Sequence, residues 1–166
     1  MWNFFLLKSS FHLSNLTKKP IHWGTPIAVS IEPTTACNLR CPQCPSGLRQ
    51  FTRPTGNLKT TVNKEILDGL GKNLQFINYY FQGEPFINPS FLDLVKAARK
   101  RNIYVLTSTN AHFISTETAE KIIESGLSEV VISIDGMTQE TYENYRIEGE
   151  LSKVIEGTKN LVQARK

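Results

Sequence analysis

The run Ile27-Ala28-Val29-Ser30-Ile31-Glu32-Pro33-Thr34-Thr35-Ala36-Cys37-Asn38-Leu39-Arg40-Cys41-Pro42-Gln43-Cys44 decides the fold. Its first five residues are short, apolar and β-branched, the pattern of a buried strand. It then turns polar from Glu32 to Ala36. It ends with every cysteine in the chain, Cys37, Cys41 and Cys44. A strand that runs into a loop of ligand-type side chains matches parallel α/β sheets, whose binding sites lie at the carboxyl ends of the strands.

Outward from this run the same rhythm repeats. Phe76–Phe81, Ile103–Thr107 and Val130–Ile134 read as three further strands. Between them lie helical patterns. Asn63 is placed to cap a helix carrying Ile66, Leu67 and Leu70. Asn88-Pro89 signals the start of a second, with Phe91, Leu92, Leu94, Val95 and Ala98 at helical spacing. The basic end of that helix, Arg99-Lys100-Arg101, suits the negative end of a helix dipole. Ser115 or Thr116 opens a third, with Ala119, Ile122 and Ile123 on one face and Gly126 to close it. A last helix spans about 151–162, with Val154, Ile155 and Leu161 apolar. The order is βα four times over, which predicts an α/β fold with a parallel sheet and outer helices. Residues 1–26 read as an irregular N-terminal extension, punctuated by Lys18-Lys19-Pro20 and Gly24-Thr25-Pro26, whose apolar flank docks on the domain or touches a membrane surface.

The composition suits one globular domain. Of 166 residues, 40% are hydrophobic and 20% charged, which excludes wholesale disorder and a fibrous repeat. The net charge is +4, with Lys and Arg scattered along the chain, so nucleic acid is not an expected partner. Trp2-Asn3-Phe4-Phe5-Leu6-Leu7 is too short to span a bilayer and lacks the flanks of a signal peptide. A cytoplasmic, reduced location with no membrane span is the expectation, and three cysteines within eight residues make a poor disulfide framework.

Every strand delivers polar groups to one rim. After the first come the cysteines; after the second, Gln82-Gly83-Glu84-Pro85; after the third, Ser108-Thr109-Asn110; at the end of the fourth, Ser133, Asp135 and Gly136. Turn and cap chemistry accounts for Ser108, Thr109 and Asn110 equally well, but not for three cysteines. A regular helix would put thiols spaced four and then three on one face, but Pro42 and Pro45 oppose that helix. A tight loop with converging thiols is the expected form. Structural zinc takes four protein ligands, and neither His22 nor His112 has ligand-like spacing. A cubane [4Fe–4S] cluster usually takes four cysteines, so three leave one iron open to an outside ligand.

On these residues the chain resembles the radical S-adenosylmethionine (radical SAM) family. That family places CxxxCxxC in the loop after the first strand of a partial β/α barrel, as Cys37-Asn38-Leu39-Arg40-Cys41-Pro42-Gln43-Cys44 does here. Gln82-Gly83-Glu84-Pro85 is similar to the family's Gly-Gly-Glu-Pro-like motif, with Gln82 where the first glycine often stands. Ser133-Ile134-Asp135-Gly136, followed by Thr138-Gln139-Glu140-Thr141-Tyr142, resembles the branch that carries a C-terminal SPASM domain and modifies peptides or proteins. The likeness covers about residues 27–162. It departs at Gln43, where many relatives place an aromatic residue, and it covers about four of the family's six βα units. The resemblance therefore implies a partial radical SAM core over 27–166, read as a fragment, a truncated reading frame or half of an assembly.

The resemblance implies that Cys37, Cys41 and Cys44 bind a [4Fe–4S] cluster whose open iron takes S-adenosylmethionine. Reductive cleavage then yields methionine and a 5′-deoxyadenosyl radical, which abstracts hydrogen from a peptide, protein or other substrate. It also implies a flavodoxin- or ferredoxin-like electron donor. Backbone carbonyls near Gln82 and Gly83 would accept from the cofactor's ammonium, with Glu84 supporting that loop. Ser133 would reach its ribose or carboxylate, and Asp135 is a further candidate contact. Asn38 and Arg40 read as loop-surface residues, and Tyr142, Tyr145 and Arg146 as helix packing. Two other functions compete: a non-catalytic iron–sulfur or electron-transfer module, and a dithiol oxidoreductase using Cys41-Pro42-Gln43-Cys44.

Overall fold

A computed structural model describes residues 2–166. Four strands, β1 (Ala28–Ser30), β2 (Phe76–Asn78), β3 (Tyr104–Thr109) and β4 (Glu129–Ile132), form one sheet in the order β1-β2-β3-β4. All three pairings are parallel, with Ala28 beside Phe76, Phe76 beside Tyr104, and Thr109 beside Ile132. The regular ladders are shorter than the apolar runs. Pairing nonetheless continues past them, since Ile31 N–H donates to Asn78 O, Tyr79 N–H to Leu106 O and Ser133 N–H to Thr109 O.

The helices are α1 (Trp2–Thr17), α2 (Pro45–Leu48), α3 (Thr60–Leu70), α4 (Phe91–Arg99), α5 (Thr116–Ser125), α6 (Gln139–Glu143) and α7 (Leu151–Ala164). As predicted, Ser115 caps α5 by accepting from Thr118 N–H, and Gly126 closes it. Thr138 and Thr141 form a capping box for α6. Three expectations change. Residues 2–17 are helical, because no glycine or proline interrupts them and leucine, which recurs along the segment, is a good helix former. Asn63 lies inside α3 and is buried, accepting a hydrogen bond from Tyr79 Oη–H at 2.5 Å instead of capping the helix. The cap of α4 is Ser90; Asn88 is buried, accepts from Ser90 N–H, and donates to Pro33 O and Leu58 O.

Period-two burial on β3 separates the faces of the sheet. Val105, Thr107 and Thr109 are buried, whereas Tyr104 is exposed and Leu106 and Ser108 are half-buried. The buried side meets α3 and α4 in a core of Leu67, Ile77, Tyr79, Phe91, Leu94 and Val95. Phe91 packs edge-on against both Tyr79 and Phe86. A second cluster, Ala111, Ile114, Ala119, Ile122, Tyr142, Leu151 and Val154, joins α5, α6 and α7. Burying each large side chain contributes roughly 1.5–3 kcal/mol. Ile123 and Ile155, expected on apolar faces, are exposed. The outer helices thus fix the sheet, leaving its carboxyl rim to carry the polar residues.

Helix α1 attaches by polar contacts. Asn3 donates to Thr25 O and accepts from Thr25 N–H, and Ser14 Oγ donates to Ile21 O. Trp2, Phe4, Phe5, Phe11 and Leu16 stay exposed, so only part of the apolar flank docks. No helix of the described residues is long and apolar enough to cross a membrane.

Candidate functional site

The loop after β1 is held by main-chain pairing. Thr35 N–H donates to Gly56 O, Leu58 N–H to Pro33 O, and Glu84 N–H to Ala36 O. From Ala36 the chain wraps through the three cysteines. Cys44 N–H returns to Cys41 O, and α2 begins directly after Cys44 with Pro45 at its first position. Pro45 therefore starts a short helix, because a first-turn residue needs no N–H partner. The cysteines themselves stay in the loop, as expected. Gly47 of α2 lies against them: a Cβ there would stand 2.5 Å from Cys41 N and 2.6 Å from Cys41 O. Sequence reading missed Gly47; its only signal is a small residue three positions after the last cysteine.

A second loop closes on the first. Gly83, at φ +78°, passes so near Thr34 that a Cβ would come within 2.2 Å of its carbonyl oxygen. Only glycine meets both demands. Its N–H donates to Ser46 Oγ at 2.8 Å, and Ser46 Oγ–H donates to Gln82 Oε1 at 3.2 Å. Cys44 Sγ lies 3.4 Å from the same Gln82 oxygen.

Glu84 ties this loop to β3. Its carboxyl is 2% exposed and accepts from Thr109 Oγ1–H at 2.7 Å, Asn110 N–H at 2.8 Å and Phe86 N–H at 3.2 Å. Burial pushes its pKa up, while the three donors pull it back. Asn110 is also buried and donates to Asn38 Oδ1 at 2.7 Å, with Cys37 Sγ 4.0 Å away. Thr109 and Asn110 thus do more than turn the chain, and Asn38 is half-buried and hydrogen-bonded. Arg40 is the exposed loop residue expected, paired with Glu148.

On the far wall Ser133 Oγ is 3.2 Å from Ser108 Oγ. Arg146, read from sequence as helix packing, turns toward the thiols. Its Nε donates to Asp135 Oδ2 at 2.5 Å, and a terminal nitrogen lies 3.7 Å from Cys41 Sγ. Burial opposes its charge, but Asp135 and Cys41 together hold its pKa above the usual value. Burial likewise raises the Cys37 and Cys41 thiols, with Leu39 N–H opposing at Cys37 and the Arg146 charge opposing at Cys41. Tyr142 does pack as expected; fully buried behind Arg146, its phenol is pushed up to about 12 by burial.

The result is one cleft of about 140 Å³ whose walls include Cys37, Cys41, Cys44, Gly83, Glu84, Ser108, Ser133 and Arg146. Of the residues singled out in the sequence, Gln82 and Asp135 stand behind this wall, one against Cys44 and the other against Arg146. Among the described residues, no three Cys, His, Asp or Glu side chains converge on a point where a single ion could sit. The thiols line the cleft without meeting. His112 is engaged elsewhere: Nε2 accepts from Glu150 N–H and Nδ1 faces Asn110 O.

The Radical SAM superfamily profile matches residues 31–166. The chain belongs to the radical SAM superfamily. Among curated relatives, it is 34% identical to the mycofactocin maturase MftC of Mycobacterium ulcerans (strain Agy99), over 84% of this chain and 37% of the relative. It is 28% identical to the AdoMet-dependent heme synthase of Methanosarcina barkeri (strain Fusaro / DSM 804), over 85% of this chain and 40% of that one. The chain thus spans about two fifths of the length of these relatives. Its fold is similar to native anSMEcpe with bound AdoMet and Cp18Cys peptide, with a TM-score of 0.62 and 23% identity, covering 84% of this chain and 41% of that one. Radical SAM proteins use a [4Fe–4S] cluster and S-adenosylmethionine, and the partial-barrel arrangement of parallel strands and outer helices seen here is the family's fold.

Proposed function

We propose that this chain is the cluster-bearing part of a radical SAM enzyme acting in the cytoplasm on a peptide- or protein-type substrate. In this reading Cys37, Cys41 and Cys44 ligate three irons of a [4Fe–4S] cluster, within a core domain spanning 27–166 that follows an N-terminal extension. The observation that carries it is three thiols lining one cleft, beside a glycine whose Cβ the neighbouring carbonyl forbids. That donor set suits a multinuclear group with thiolate ligands. When bound, the cluster and S-adenosylmethionine supply a low-potential electron and a hydrogen-abstracting radical.

The chain's own residues bind and orient. The main chain at Gln82 and Gly83 offers carbonyl oxygens to an ammonium. Glu84, through Thr109 and Asn110, fixes the height of that loop against β3. Ser133 and the Arg146 guanidinium present donors suited to a carboxylate. Asp135 acts through Arg146, holding its fork toward the cleft. The maturase among the relatives, and the peptide named in the solved structure, support the substrate class.

Anaerobic reconstitution with iron and sulfide tests this reading. The expected result is about four irons and four sulfides per chain, with 5′-deoxyadenosine formed from S-adenosylmethionine under reduction when the remaining strands of the barrel are supplied. Cys41→Ala abolishes both signals. Zinc at these positions, or no metal, overturns the reading. A cluster that forms but never cleaves the cofactor, even in the completed barrel, supports a non-catalytic iron–sulfur module instead. Disulfide reduction without iron uptake supports a dithiol oxidoreductase.

A further inference from the structure

Helix α1 presents its aromatic residues outward, whereas a surface helix ordinarily turns them to the core. The side it turns to the domain carries Asn3, Leu6, Leu7, Ser10, Leu13 and Ser14, spaced as one face of a helix. Hydrogen bonds from Asn3 and Ser14 to Thr25 and Ile21 fasten that side. The opposite side shows Trp2, Phe4, Phe5, Phe11 and Leu16 to solvent, each between 58% and 81% exposed. The rings of Trp2 and Phe5 stack at 5.6 Å, so this is a joined surface and not a set of isolated rings. Lys8 stands within it, three or four residues from Phe4, Phe5 and Phe11. Lys18 and Lys19 follow the last residue of the helix. All three lysines are exposed, and none makes an ion pair among the described residues. The first 31 residues contain no Asp or Glu to offset them. Phe4 also lines a small hollow with Lys72, a further exposed and unpaired cation. Ile27 and Gln75, which directly precede β1 and β2, line the same hollow. The start of α1 therefore lies at the amino end of the sheet, opposite the rim that bears the cysteines.

We infer that α1 is an interfacial anchor that lays its aromatic face on an anionic bilayer surface. Trp and Phe rings settle at the boundary between headgroups and acyl chains, and lysines beside them meet the lipid phosphates. Lys8 separates a bilayer from a protein partner. In a protein interface its ammonium would be buried among apolar rings with no carboxylate of its own helix to pair with, which is costly. At a bilayer the ammonium reaches out to the headgroups while its stem lies along the rings. The absence of acids from the first 31 residues fits the same surface, since a carboxylate there would be repelled by anionic lipid. One apolar signal alone holds a protein only marginally and reversibly; the aromatic face and the lysines supply two. Docked in this way, the cysteine cleft on the opposite rim stays clear of the lipid. The inference needs no cluster and stands apart from the function proposed above.

The test is co-sedimentation of the full chain with vesicles of mixed phosphatidylcholine and phosphatidylglycerol, compared with phosphatidylcholine alone. The expected result is binding to the anionic vesicles that weakens with salt, and little binding to the neutral ones. Brominated acyl chains quench Trp2 fluorescence, read in a Trp23→Phe background because the chain has two tryptophans. Phe5→Ser with Phe11→Ser lowers the partition coefficient at least about tenfold. Both rings are exposed, so the denaturant midpoint of this variant stays unchanged. Lys18→Gln with Lys19→Gln lowers partition about tenfold or more at low salt and flattens the salt dependence. Met137→Ser, which removes the 91% exposed side chain beyond β4, leaves binding unaltered. Equal binding by wild type and the Phe5/Phe11 variant overturns the anchor, as does vesicle binding with Trp2 unquenched. Self-association that is lost in the Phe5/Phe11 variant, with no binding to anionic vesicles, overturns it too and gives the face to a second copy of the chain. Iron content is measured on the same samples, so a failure of the proposed function shows there and leaves the vesicle result standing.

Discussion

Phe91 and Glu84 are 1% and 2% exposed and lie on the same connection between β2 and β3, yet different forces hold them. Phe91 is surrounded by the rings of Tyr79 and Phe86 and by aliphatic side chains of the first core cluster. Its position follows from area removed from water, which is non-directional. Glu84 is fixed by three donors on two different segments, each of which must be aimed. The helix-packed side of the sheet is thus stabilised by volume and surface, and the carboxyl rim by direction. Core packing tolerates shape-conserving change; a directed contact does not.

Substitutions that sharpen this contrast range from large to small. Phe91→Ala removes a ring from the core and costs about 3–5 kcal/mol, read as a lowered denaturant midpoint. Iron bound per folded molecule stays unchanged, since no thiol contact is touched. Gly83→Ala reverses the pattern. It costs about 1–3 kcal/mol through overpacking against the Thr34 carbonyl, but iron uptake falls severalfold, because the loops at the thiols must part. Equal iron uptake by both variants would break the contrast between core and rim.

The third effect is in pH. The folded pKa of Glu84 is raised, so folding favours its protonated form. Its contribution is therefore fully present below the ordinary carboxylate range and is lost as pH rises through the raised folded value. In the iron-free chain, stability falls across that window with a slope of at most about 1.4 kcal/mol per pH unit. Glu84→Gln flattens the slope. A slope unchanged in this variant would show that another group carries it.

The sheet was legible because its strands are short β-branched or aromatic runs spaced by amphipathic helices, and Ser115 and Gly126 mark helix ends by local chemistry alone. That the cysteines share one cleft was legible because nothing structural calls for three thiols in eight residues. Arg146 was not, since its role depends on Asp135 and Cys41, which are brought to it from 11 and 105 residues away. Asn63 was misread for the same reason: its partner is the Tyr79 hydroxyl, and no local rule distinguishes a cap from a buried acceptor. Helix α1 is not legible from pattern, because its apolar residues follow no helical period.

Gln82 stands directly before Gly83, and its amide oxygen is shared by Ser46 Oγ–H and the Cys44 sulfur. One side chain therefore straps the thiol-bearing turn to the floor beneath it before any cofactor arrives. A glycine there would leave two loops to be ordered at the moment of capture. The glutamine moves that entropic cost into folding, so this chain meets its cofactor with a preorganised mouth and less freedom to reshape it.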